Sequence, residues 1–182
     1  MKSLFFWHVS LSLSDALFVT DSKGSVYYLS LGKWTSLVDL VKKDFKVVRK
    51  EYQVAPGRDS DSNSDINRAK ELIKEALDRP SEIDKIRSSL LIKYIFGTAS
   101  QRRVWDHLVD EIPVGKTSTY SKVAKGLGRD GGSRVIGNAC GANRIALFVP
   151  CHRVLTSSQT ITGYRYGPAL KRSLLNQEKA LS

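Results

Sequence analysis

The 182-residue sequence predicts an α/β protein of the α+β kind. A small antiparallel sheet with helices comes first, and a mostly helical part follows. Three observations carry this reading. The first third is rich in short β-prone runs separated by turn residues. Helical periodicity and capping signals dominate from about residue 98. Glycines and small residues crowd the stretch before a lone Pro150-Cys151-His152-Arg153 run.

Taken in order, Leu4 to Val9, Ala16 to Thr20 and Val26 to Leu31 read as strands, with Asp21-Ser22-Lys23-Gly24 as a hairpin turn. Leu37, Val38, Leu40, Val41 and Phe45 recur at helical spacing after the capping candidates Thr35 and Ser36. Val47 to Val54 is a further strand candidate, and Pro56 to Ser64 is a polar loop. A helix is expected over Ile66 to Leu77, with Ile66, Ala69, Leu72, Ile73, Ala76 and Leu77 on one face. Near residue 92 the character changes. That places an N-terminal α/β domain at 1–92 and a C-terminal domain at 93–182.

The C-terminal domain opens with Thr98-Ala99-Ser100-Gln101, which has capping-box spacing and starts a helix burying Val104, Trp105, Leu108 and Val109. That helix stops before Pro113. Ser118 or Thr119 can cap a short helix ending at Gly128, and Ser133 can cap a second running to about Ala142. Two short helices around a glycine-containing turn make a helix-turn-helix pattern. Gly137, Ala139, Gly141 and Ala142 leave the second helix almost without bulk. Such a face suits close approach to a DNA groove or to a neighbouring helix. Arg134, at its start, is either a phosphate-facing charge or a planar group able to fill a gap in a base stack.

The chain carries 29 basic and 18 acidic side chains, a net charge of +11, with a pI near 9.7. From Ile95 onward there are thirteen basic against five acidic residues; before it, sixteen against thirteen. A polyanion footprint is therefore expected mostly in the C-terminal half. No apolar run approaches membrane-span length, and the apolar start Leu4 to Val9 lacks a clean cleavage site. Two cysteines are too few for a disulfide scaffold. No zinc-ligand spacing exists, so neither metal nor cofactor is expected.

Ile145 to Val149 reads as a buried strand delivering Cys151 at its end. Cys140 reads as a small buried hydrophobe. Cys151 has His152, Arg153 and Asn143 nearby, surroundings that can activate a thiol. Adjacent residues on an extended segment point to opposite faces, so Cys151 and His152 need a tight turn or a bridging water to exchange a proton. Glu178, on a closing helix expected over Ala169 to Leu181, is a candidate to orient His152.

The segment from about Phe96 to Glu178 resembles the O6-alkylguanine-DNA alkyltransferases. The resemblance rests on Ile112-Pro113-x-Gly115, Thr119-Tyr120, Arg134-Val135, Asn143, Val149-Pro150-Cys151-His152-Arg153-Val154, Gly163-Tyr164 and Leu174-Leu175-x-x-Glu178, in order and closely spaced. It implies that Cys151 accepts the alkyl group, in a stoichiometric suicide reaction. His152 would take its proton through water, oriented by Glu178, while Asn143 braces the turn. Tyr120 would donate to N3 of the departing guanine. Arg134 would replace the flipped nucleotide. Thr119, Ser133, Gly137, Ala139, Cys140 and Gly141 would face the minor groove of double-stranded DNA. Val154, Tyr164, Arg165 and Tyr166 would form the substrate pocket.

The sequence departs from its relatives at Asp130-Gly131-Gly132, which is expected to loosen the turn, and at Tyr166, which is expected to narrow the pocket. The zinc site of some relatives is absent, since no cysteine precedes residue 140. Competing readings are a non-enzymatic lesion-binding protein of the alkyltransferase-like group, and a cysteine hydrolase using Cys151 and His152. A monomer, cooperative on DNA at most, is expected in the nucleus of a eukaryote or the cytoplasm otherwise.

Overall fold

A computed structural model describes residues 1–10 and 13–181. The chain divides into two compact units. One holds residues 1–78 with 85–95, the other residues 79–84 with 96–182.

In the first unit, β1 (Lys2–Val9), β2 (Asp15–Thr20) and β3 (Val26–Gly32) pair antiparallel in sequence order, with Phe5 opposite Thr20 and Val19 opposite Tyr28. Helix α1 (Trp34–Phe45) then crosses the sheet, burying Leu37, Val41 and Phe45 against β2, β3 and the next strand. This crossover lets β4 (Tyr52–Pro56) run parallel to β1, giving the order β3-β2-β1-β4. Strand β4 starts later than its apolar run suggests. Lys46–Val48 form a 3-10 turn on the end of α1 instead, where Asp44 is turned inward to accept the Tyr28 hydroxyl at 2.9 Å. Helix α2 (Ser64–Asp78) buries the expected Ile66, Ala69, Ile73, Ala76 and Leu77. Helix α1 begins at Trp34, before Thr35 and Ser36, because Lys33 takes the extended cap position and Asp15 Oδ2 accepts from the Trp34 amide at 3.0 Å. Between the two stretches of this unit, the 3-10 turn at Pro80–Glu82, which belongs to the second unit, leads into helix α3 (Ile83–Ser88).

The second unit is organised around Trp105. It lies on α4 (Ala99–Glu111), whose capping box has Thr98 Oγ1 accepting from Gln101 N and Gln101 Oε1 accepting from Thr98 N. The Trp105 indole donates to Ala139 O at 2.8 Å and is 1% exposed. A two-residue strand, β5 (Ser118–Thr119), leads into α5 (Tyr120–Gly126), capped by Thr119 Oγ1 accepting from Lys122 N at 3.2 Å. Helix α6 (Ser133–Ala142) completes the helix-turn-helix. Gly132, not Ser133, takes its N-cap position, because Gly132 N closes a turn onto Arg129 O at 2.9 Å. A Cβ at Gly132 would stand 2.8 Å from that carbonyl oxygen, so the second glycine of the unusual turn fits a tight approach.

Residues 145–149 are buried but form no strand. Leu147 adopts φ +65, and the amides of Phe148 and Val149 turn back onto Ala146 O and Ile145 O. Local turns and a side-chain amide satisfy this backbone, so it needs no sheet ladder. Strand β6 (Val154–Leu155) pairs parallel with β5, setting Ser118 beside Val154. Helix α7 (Pro168–Gln177) closes the unit and stops short of the expected end, with Glu178 at its C-cap.

Candidate active site

Asn143 is the template of the site. Its Oδ1 accepts from Ile145 N at 2.7 Å. Its Nδ2 donates to Ile145 O and Val149 O, both at 3.2 Å, and to Cys151 Sγ at 3.4 Å. One buried amide thus ties the 145–149 turn to the thiol that follows it. Cys151, His152 and Arg153 then form a 3-10 turn. That turn takes Cys151 and His152 off an extended segment, where neighbours would point to opposite faces.

His152 is fully buried and sits 2.8 Å from Glu178 through Nε2. Glu178 also accepts from Arg153, Nε to Oε2 at 2.9 Å and Nη2 to Oε1 at 3.1 Å. Burial alone would raise the Glu178 carboxyl, but hydrogen bonds from His152 and Arg153 outweigh it and hold the group below its ordinary value. Burial lowers His152 below 6.5 against the opposing pull of Glu178. A carboxylate accepts, so His152 Nε2 carries the hydrogen and Nδ1 carries the lone pair. Nδ1 has no protein partner among the described residues. The result is a neutral imidazole held by one nitrogen and open at the other.

The Cys151 side chain is 4% exposed in all. Burial raises its pKa well above the ordinary value, and the adjoining Cys140 thiol adds to this; the Asn143 amide and the Lys171 ammonium pull the other way. The resting thiol is therefore protonated. Pairing of β5 with β6 brings Tyr120 to the same place, and its hydroxyl is pushed up to about 12 by burial and by the two thiols. A Cβ on Gly163 would lie 3.7 Å from that hydroxyl, so the 163–166 loop passes beside it. Tyr164 meets His152 edge-on at 6.2 Å and Tyr166 edge-on at 5.3 Å. Val154 is fully buried, and Arg165 is half-buried beside the two tyrosines.

The structure thus gathers Cys151, His152, Glu178, Asn143, Tyr120, Tyr164 and Tyr166 in one cluster, with Val154 and Arg165 beside it. The helix-turn-helix residues divide. Arg134 is exposed on the first turn of α6, and Gly137 and Gly141 face open space. Thr119 and Ser133 are half-buried. Ala139 and Cys140 are buried, because the Trp105 contact turns their face of α6 inward, so neither reaches the surface expected of it.

Sequence reasoning missed three parts. Arg153 is buried and donates also to Asp84 Oδ1 at 2.9 Å and Ile112 O at 2.8 Å. Lys171 is buried and donates to Val154 O and to Thr162 O. Cys140 lies against Cys151. A signal existed for Lys171: it shares a helical face with Leu174, Leu175 and Glu178, all buried.

Residues 99–180 match the family model of the 6-O-methylguanine DNA methyltransferase DNA-binding domain. Over 98% of its length the chain is 46% identical to the methylated-DNA–protein-cysteine methyltransferase of Scheffersomyces stipitis, covering 94% of that protein. The chain belongs to this methyltransferase family. The Candida albicans member is 40% identical, with 98% of each chain covered. Among solved structures, Mycobacterium tuberculosis OGT in complex with DNA superposes with a TM-score of 0.69 at 26% identity, covering 98% of this chain and 93% of that one.

Proposed function

We propose that this DNA-repair methyltransferase transfers the alkyl group of O6-alkylguanine in duplex DNA to Cys151, once per molecule. The observation that carries this reading is the held, half-open imidazole: Nε2 fixed on Glu178 at 2.8 Å and Nδ1 buried without a partner. A raised thiol cannot attack while protonated, so a base must take its proton during the reaction. His152 Nδ1 receives it through a bridging water, and Glu178, kept ionised by Arg153, stabilises the imidazolium that forms. The thiolate attacks the alkyl carbon in line; the S–C bond forms as the C–O6 bond breaks. Tyr120, kept protonated across the physiological range, donates a hydrogen bond to N3 that stabilises the departing guanine anion, and the proton given up by the thiol finally neutralises that anion through His152 and solvent. The product is a thioether with no route back, which ends the protein's activity.

DNA is the partner. Several features support minor-groove docking of α6. Its exposed glycines, Gly137 and Gly141, have only open space where a side chain would stand, so no other described part of the chain requires them to be small. Arg134 projects from the same helix and fills the gap left by the flipped nucleotide. The protein acts as a monomer on the lesion.

Mass spectrometry after incubation with an O6-methylguanine duplex tests this. One added methyl on Cys151, absent from Cys151→Ala, is the expected result. Unchanged mass with intact lesion binding would assign the chain to non-enzymatic lesion recognition instead. Repeated turnover would point to a hydrolase.

A further inference from the structure

The C-terminal half holds most of the excess positive charge, yet the densest run of cations lies elsewhere. Lys42, Lys43, Lys46, Arg49 and Lys50 fall within nine residues at the end of α1 and the 3-10 turn after it, and all five are exposed. The single acid inside the run, Asp44, is buried and bonded to Tyr28, so it turns away from the charged face. None of the five forms an ion pair among the described residues. A helix C-terminus accommodates cations in its last turn, which accounts for Lys42 and Lys43. It does not account for Lys46, Arg49 and Lys50 beyond that turn, where like charges three and four residues apart repel. Val47, 84% exposed, sits in the middle of the run. Lys42, Lys46 and Arg49 border a cleft of about 400 Å³ whose other walls are Met1, Phe45, Tyr52, Gln53 and Val54.

We infer that this face is a second DNA-binding surface, which takes the sugar–phosphate backbone outside the stretch held by the helix-turn-helix. Unpaired cations beside apolar side chains match that backbone, with phosphates meeting Lys42, Lys46 and Arg49 and deoxyribose meeting the exposed Met1 and the half-buried Val54. Each phosphate neutralised releases condensed counterions, so the surface adds salt-dependent affinity without sequence preference. The net charge of the first unit hides it, because the acids of α2 and its flanking loops offset the cations in the sum. The inference rests on DNA being the partner, but not on the alkyl-transfer chemistry.

The test compares the full-length protein with Lys42→Gln/Lys46→Gln/Arg49→Gln on a long and a short lesion-bearing duplex, of about 40 and about 12 base pairs, following binding against salt; the helical repeat of DNA sets these lengths. On the long duplex the triple variant should lose about tenfold or more in affinity, and its salt slope should fall by about two to three units. On the short duplex, binding and methyl transfer should match wild type. Lys74→Gln, an exposed lysine on α2 flanked by Glu71 and Glu75, should leave every slope unchanged. Equal slopes for wild type and triple variant on the long duplex would overturn the inference. So would an equal loss on both duplexes, which would mean diffuse attraction only. Absence of methyl transfer by the wild type would count against the repair reaction and leave the binding comparison intact.

Discussion

His152 and Glu178 illustrate how burial sets a chemical role. Alone in an apolar interior each would avoid charge, but Arg153 supplies the positive partner that keeps Glu178 ionised while His152 stays neutral. The methyl-transfer rate of the wild type should therefore be flat above about pH 7 and fall in acid below the ordinary histidine value of 6.5, as Nδ1 takes a proton from solvent. His152→Gln should lose on the order of a hundredfold or more at neutral pH. It should recover as pH rises, because hydroxide then replaces the missing base; a variant profile parallel to wild type would remove His152 from proton transfer. Tyr166 stands edge-on to Tyr164, and we propose that it limits the space for a large alkyl group. O6-Benzylguanine as the free base should label the wild type slowly and Tyr166→Ala faster, read as loss of free thiol. Rapid labelling of wild type would show that Tyr166 does not limit entry.

The helix-turn-helix is positioned by packing that begins at Gly97. This residue has φ +81, and a Cβ on it would lie 2.4 Å from the Trp105 ring. Trp105 in turn holds α6 through Ala139 O. Gly97→Ala should cost about 2 kcal/mol or more of stability, from positive φ and overpacking together. Denaturant unfolding measures it, and a change below about 0.5 kcal/mol, the range of ordinary surface substitutions, would mean that the Trp105 ring relaxes freely. The Thr98 capping box, both helices of the helix-turn-helix and the buried face of α2 were legible in the sequence, since each follows from local spacing. The 145–149 segment was not. Its apolar composition fits a strand, and only side-chain bonds from Asn143, two to six residues away, which no apolar pattern records, turn it into a coil. Likewise, the buried state of Ala139 depends on Trp105, thirty-four residues away, whereas that of Cys140 was read from its residue type.

Across the whole chain, the shifted groups that titrate in the acid range share a sign. Asp21 is held at about 2: burial would raise it, but Lys2, Tyr27 and two backbone amides outweigh burial. Asp21, Glu178 and His152 all bind protons more weakly when folded than when unfolded. Their contribution is complete above the ordinary values and is lost as pH falls through the folded ones. The urea midpoint should therefore drop first below 6.5, where protonation charges the His152 imidazole, and again below 3.8, where it neutralises the Asp21 carboxylate. A midpoint constant from pH 7 to pH 4 would contradict the buried neutral state of His152. The sequence showed a change of character near residue 92, but it could not show that residues 79–84 group with the later unit, because that grouping depends on an arginine sixty-nine positions on.

That excursion decides where the protein can be cut. A fragment starting at the first residue of the matched family domain, Ala99, leaves Arg153 without Asp84 and α7 without the Pro80–Glu82 turn that packs on it. A fragment starting at Arg79 keeps both. The longer fragment should melt cooperatively at a higher temperature than the shorter one, and equal melting would show the segment to be dispensable. For anyone grafting the repair module onto another protein, the practical seam lies ahead of Arg79, inside a stretch that its own sequence assigns to the neighbouring domain.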